Sequence, residues 1–121
     1  MSKIRKFSDL RAWQEAHDLV LFVYSITDKF PSEEKFGLAN QSRRASVSIT
    51  SNIAEGFGRR TAKDKKHFYL MSKTSLAELE TQFIIACDLG YFAREKFDLF
   101  SFKCVNVGKL IAGLIKSADN I

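Results

Sequence analysis

The chain has 121 residues, 45% hydrophobic and 27% charged, with a net charge of +5. That length holds one domain with a real core and leaves little for a second. Its longest apolar runs, Leu19 to Tyr24 and Leu110 to Ile115, are too short to cross a bilayer, and no secretory signal pattern opens the sequence.

Residues 1–8 read as a short basic lead-in, expected to be mobile, and residues 9–118 as a single all-α domain. Apolar residues recur at spacings of three and four through four segments, which is helix periodicity. The first helix spans about Asp9 to Lys29. It carries two adjacent rows, one of Leu10, Trp13, His17, Val20, Tyr24 and Thr27, the other of Ala12, Ala16, Leu19, Val23, Ile26 and Phe30. Together they are wider than the stripe of about 100° that one core contact requires. Either this helix is central in the monomer, or its second row meets another subunit. His17, lying in an apolar row, is expected to be a hydrogen-bonded core histidine rather than a ligand.

Phe30-Pro31 breaks the first helix, because proline disfavours helical geometry in the residue before it. The second helix begins near Leu38 with Ser42, Ala45, Ile49 and Ile53 on its core face, and stops between Gly56 and Arg60, where two glycines supply a C-terminal signal. Thr61 and Asp64 have capping-box spacing and open a third helix that runs to about Leu89, before Gly90. Its core face carries Phe68, Ser72, Leu76, Leu79, Phe83 and Ala86. The fourth helix, from about Arg94 to Ala118, has a near-heptad seam of Phe97, Phe100, Cys104, Val107, Ile111 and Leu114. Short connections between long helices predict an antiparallel up-down-up-down four-helix bundle.

The charge is not spread evenly. Residues 1–37 and 67–121 each balance six basic against six acidic residues, so the whole excess lies in residues 38–66. There Arg43, Arg44, Arg59, Arg60, Lys63, Lys65 and Lys66 face only Glu55 and Asp64. The two basic groups stand some 16 residues apart, roughly 24 Å along a continuous helix, a span that a nucleic-acid backbone bridges. The alternative is a solvated surface. Between them Gln41, Ser48, Asn52 and Glu55 recur on one side of the second helix. They form either a polar seam against the third helix, with Ser75, Glu78 or Gln82 as partners, or a groove open to a ligand.

Catalytic and metal chemistry is not legible. A di-iron bundle needs paired Glu-x-x-His motifs, and the chain has only His17 and His67. No zinc spacing, P-loop, GxGxxG or serine–histidine–acid set can be assembled, so no enzyme, metal or cofactor is expected. Cys87 and Cys104, inside apolar patterns and without CxxC spacing, read as reduced core thiols of a cytoplasmic protein.

The run Phe7-Ser8-Asp9-Leu10, Trp13-Gln14, Phe30-Pro31, Phe36-Gly37-Leu38, Gln41-Ser42-Arg43-Arg44-Ala45 and Ser51-Asn52-Ile53-Ala54-Glu55-Gly56, continued by Ser75-Leu76 and Leu89-Gly90-Tyr91, resembles the four-helix-bundle protein family encoded in 23S rRNA intervening sequences. That family is similar to the accessory variability protein of diversity-generating retroelements, a homopentamer that binds nucleic acid and a reverse transcriptase. The resemblance implies a non-enzymatic bacterial bundle protein, a homo-oligomer and specifically a pentamer, with RNA or another nucleic acid as partner through the seven basic residues. A five-fold ring would use the wide apolar surface of the first helix. The family pattern has proline where this chain has Thr50. The competing function is a protein–protein adaptor whose basic surface docks an acidic protein.

Overall fold

A computed structural model describes residues 3–120 and contains four long helices: α1 (Arg11–Thr27), α2 (Leu38–Phe57), α3 (Ala62–Asp88) and α4 (Arg94–Ser117). Single 3₁₀ turns at Phe7–Asp9, Ser32–Glu34 and Ala118–Asn120 punctuate them. No strand occurs among the described residues. Each helix packs on its two neighbours in a closed square, α1 on α2 and α4, α3 on α2 and α4. Side-chain contacts fix the directions. Ser48 meets Ser75 while the later Ile49 meets the earlier Ser72, so α2 and α3 are antiparallel. The α1–α2 and α3–α4 connections share one end of the bundle, where the Tyr91 hydroxyl donates to Glu34 Oε2 at 2.8 Å. The α2–α3 turn and the C-terminal turn share the other, where Lys66 pairs with Asp119. The topology is up-down-up-down.

The predicted seams are the core. Ala12, Ala16, Leu19, Val23, Ile26 and Phe30 are all buried, and Ile49, Ile53, Leu79, Phe83, Phe100, Val107 and Ile111 fill the centre. Phe30, Phe83, Phe92 and Phe100 make a connected aromatic cluster toward the loop end, with Phe83 and Phe100 rings 4.3 Å apart. Tyr69 is also buried, at a position where the sequence pattern favoured the half-buried Phe68. Cys104 lies in the core, where burial pushes its thiol pKa up, while Cys87 is half-buried.

Helix ends follow the expected chemistry, with one exception. Thr61 Oγ1 accepts the Asp64 N–H at 3.1 Å and starts α3. Gly90, at φ +82°, lets the chain turn back so that Tyr91 N–H reaches Ala86 O and Gly90 N–H reaches Cys87 O, a Schellman close. The exception is α2. Gly58, its C-cap, keeps a right-handed φ of −78°, so no glycine-specific geometry stops this helix. The Lys65 ammonium supplies the end instead, donating to Phe57 O at 2.8 Å and Gly56 O at 3.3 Å. Thr50 sits inside an unbroken helix and donates to Val47 O.

Of the two alternatives for the wide apolar surface of α1, the monomer takes up most of it: in the row that starts at Leu10, Leu10, Trp13 and Val20 are partly buried and Thr27 fully, leaving Tyr24 and the nearby Leu21 as the exposed large apolar side chains of α1. The exposed apolar surface lies mainly on α3 (Leu70, Met71, Ile84, Ile85) and α4 (Leu99, Phe102, Val105). His17 is no core histidine; it is exposed and stacks on Trp13 at 4.9 Å. The lead-in is held from Arg5 onward: Arg5 and Lys6 N–H groups donate to Asp9 Oδ2, and Phe7 packs edge-on against Trp13. Met1 and Ser2 of that lead-in lie outside the described residues.

Candidate nucleic-acid interface and polar seam

The seven basic residues do not share one surface. A helix turns about 100° per residue, so the adjacent Arg43 and Arg44 point to different neighbours. Arg43 faces α1, where its Nε donates to Thr27 Oγ1 at 2.8 Å and its guanidinium lies 4.6 Å from the Tyr24 ring centroid. Thr27 is itself buried and donates to Val23 O, so this arginine stitches α2 to α1. Arg44 is exposed and faces the α2–α3 side.

At the far end of α2 the roles divide again. Arg59 pairs with Glu55 at 2.7 Å and lies 4.5 Å from the Phe68 ring. The pair is exposed, so it contributes at most about 1 kcal/mol. Lys65 is the α2 cap described above, and its ammonium also sits 5.5 Å from the Phe57 ring centroid. Lys66 is engaged by Asp119, an acid from the C-terminal turn that no local reading of the basic stretch includes. Arg60 and Lys63 are exposed and take part in no side-chain hydrogen bond or ion pair among the described residues. The cationic groups open to a partner are therefore Arg44 on the α2–α3 side and Arg60 and Lys63 at the α2–α3 turn, with Arg59 beside them.

The polar residues of α2 also divide. Asn52 and Ser48 form the structural seam. Asn52 Nδ2 donates to Ser48 O at 2.9 Å and to Ser48 Oγ at 3.1 Å, and Ser48 Oγ lies 2.9 Å from Ser75 Oγ. Beside it the buried Ser72 hydroxyl donates to Ile49 O at 2.8 Å. These short side chains let α2 and α3 approach closely. At Gly56 the approach leaves no room for a side chain, since a Cβ would stand 2.5 Å from Tyr69 Cε1. Gln41 and Glu55 are exposed instead. Gln41 lines a cleft of about 370 Å³ between α2 and α3, together with Arg44, Ala45, Ser48, Ser75, Glu78 and Gln82. Of the seam partners that the sequence suggested, Ser75 bonds across the interface, while Glu78 and Gln82 line the cleft.

The Glu34 clamp escapes sequence reading. Its carboxylate accepts the Leu38 N–H at 3.0 Å as well as the Tyr91 hydroxyl, and both bonds hold its pKa below the ordinary glutamate range. It joins two loops 57 residues apart in sequence. Among the described residues no three His, Cys, Asp or Glu side chains gather as a metal ion would require, and no helix is long and apolar enough to cross a membrane.

Among curated proteins, none matches this sequence. The fold is similar to the crystal structure of a protein of unknown function from the S23 ribosomal protein family of Bacteroides thetaiotaomicron, with a TM-score of 0.79 and 19% identity over 87% of this chain and 95% of that one. At that identity the likeness speaks for the fold. The sequence itself goes further: the family model for the 23S rRNA-intervening sequence protein matches residues 8–113, from the turn before α1 into the last turns of α4, and the chain belongs to that family.

Proposed function

We infer that this protein is a non-catalytic bundle that self-associates and binds RNA, or another nucleic acid, through the basic corner at the α2–α3 turn. The observation that carries the reading is the set of cationic heads left free by the fold: Arg60 and Lys63 at the turn and Arg44 along α2. Arg43, Lys65 and Lys66 are already used to join helices or cap them, and they add field rather than contacts. Phosphate contacts need reachable donors, and the corner supplies them without an aligned reading helix. Self-association is supported by the exposed apolar side chains of α3 and α4, and a cyclic assembly such as a pentamer would repeat the basic corner on every subunit.

Lysine acetylation footprinting with and without single-stranded RNA tests the location. Lys63 should be protected by RNA, whereas the exposed Lys96, in the first turn of α4 at the opposite end of the bundle, should label equally in both samples. Protection of Lys96 without protection of Lys63 would place the RNA elsewhere. Docking of an acidic protein on the same corner is the competing outcome, recognised by Lys63 remaining fully labelled with RNA but becoming protected by an acidic polypeptide such as polyglutamate.

A further inference from the structure

The cleft between α2 and α3 holds polar groups that the bundle does not use. At one end Ser48 and Ser75 are hydrogen-bonded to each other, and Ser48 also accepts from Asn52. Moving one or two turns along the antiparallel pair, α2 presents Arg44 and then Gln41, while α3 presents Glu78 and then Gln82. Arg44 and Glu78 line the same cleft, yet neither makes an ion pair with the other or with any charged group among the described residues. Both side chains are exposed, so a ligand in the cleft can reach the guanidinium on one wall and the carboxylate on the other. At about 370 Å³ the cleft falls in the range of small-ligand sites, roughly 300–1,000 Å³.

The pattern selects its ligand. The Glu78 carboxylate offers two adjacent acceptor oxygens on the α3 wall, and Arg44 is a forked donor on the α2 wall. The matching planar group has adjacent N–H donors on one edge and adjacent acceptors on the other. Among nucleobases that is guanine. Its N1–H and N2 amino group suit a carboxylate, and its O6 and N7 suit an arginine. Adenine and cytosine place a ring-nitrogen acceptor beside their amino group, which a second carboxylate oxygen repels. Uracil has one N–H between two carbonyls.

We propose that this cleft binds an unstacked guanine, with the two Glu78 carboxylate oxygens taking its N1–H and N2 donors and Arg44 its acceptor edge. A second, broader cleft shares Arg44 and Ser48 and contains Tyr24 with the Arg43 guanidinium against its ring, which gives the neighbouring nucleotide a planar surface. The proposal rests on the RNA reading for its physiological ligand, since a single-stranded RNA brings the base with its backbone. Free guanine nucleotide presents the same edges, and the test separates the two sources.

Short U-rich RNAs carrying one central guanine, adenine, cytosine or inosine are titrated by fluorescence anisotropy, and GMP and AMP by NMR. Guanine should bind about tenfold tighter than adenine or cytosine at the same position, with inosine, which lacks the N2 amino group, in between. Glu78→Gln should abolish the guanine preference while leaving affinity for the all-U strand unchanged, its fold checked by circular dichroism. Equal binding of all four strands overturns the guanine site and leaves the RNA reading standing. An equal gain for every strand on Glu78→Gln overturns it as well, by showing a carboxylate that only repels phosphate. GMP binding in preference to AMP with no RNA binding sustains the cleft and sinks the RNA reading. No binding of either ligand sinks both.

Discussion

Gly56, the last residue of the Ser51–Gly56 run, is explained by the surface it meets, and substituting alanine tests that explanation. A Cβ built there stands 2.5 Å from Tyr69 Cε1, 2.8 Å from Cδ1 and 3.2 Å from Cζ, all atoms of a ring that is 3% exposed. Three ring atoms inside normal contact distance mean that the whole ring must shift. Overpacking of this kind costs about 1–3 kcal/mol. Alanine recovers up to about 1 kcal/mol through its higher helix propensity, and less at a position one residue from the helix end. The ring has some relief, because it borders a small cavity of about 160 Å³ with Leu10, Phe57 and Leu114. The net expectation for Gly56→Ala is a loss of roughly 0.5–2 kcal/mol. Urea unfolding at fixed protomer concentration measures it, and Tyr69→Leu provides the second arm of a double-mutant cycle. In the Tyr69→Leu background the alanine should be neutral or stabilising. If Gly56→Ala stabilises the wild-type chain, or is equally harmful in both backgrounds, the close-approach account of this glycine is wrong.

Three further outcomes follow from the same contacts. Asn52→Ala removes the amide that ties two atoms of Ser48, and should lower the urea midpoint by an amount equivalent to about 1–2 kcal/mol; an unchanged midpoint would mean the seam contributes nothing. Glu34 has its folded pKa depressed, so its stabilisation is complete above the ordinary glutamate value and is lost as pH falls through the lower folded value. The stability difference between wild type and Glu34→Gln should therefore shrink on acidification below that ordinary value, whereas parallel acid curves would contradict the clamp. Light scattering should show an assembly larger than one subunit that Ile84→Glu or Phe102→Glu dissociates, because these exposed apolar residues are where association is expected; a monomeric wild type removes the self-association proposal.

The sequence is informative here wherever a rule is local. Helix periodicity places all four helices, and the row from Ala12 to Phe30 is buried throughout. Thr61 and Asp64 mark the start of α3 correctly because a cap acts over three residues. Pairings between distant segments are another matter. Lys66 with Asp119 and Glu34 with Tyr91 depend on which bundle ends meet, and nothing near either residue announces its partner. The split of the basic stretch is an intermediate case. The 100° step between Arg43 and Arg44 already separates their directions, but only the position of α1 shows that Thr27 and Tyr24 receive the first of them. The wide apolar surface of α1 leaves two readings open for a related reason. A helix between two neighbours in a square bundle needs two apolar rows, so width alone does not signal a second subunit.

The account centres on Arg60 and Lys63 as phosphate-contacting groups, and the salt dependence of RNA affinity tests that most directly. For single-stranded RNA each phosphate contact contributes about −0.7 to the slope of log K against log salt. The double variant Arg60→Gln/Lys63→Gln should bind more weakly and with a slope shallower by about 1.4, two contacts' worth. A variant that binds with the wild-type slope, or a wild type that shows no RNA binding at low salt, would contradict the claim.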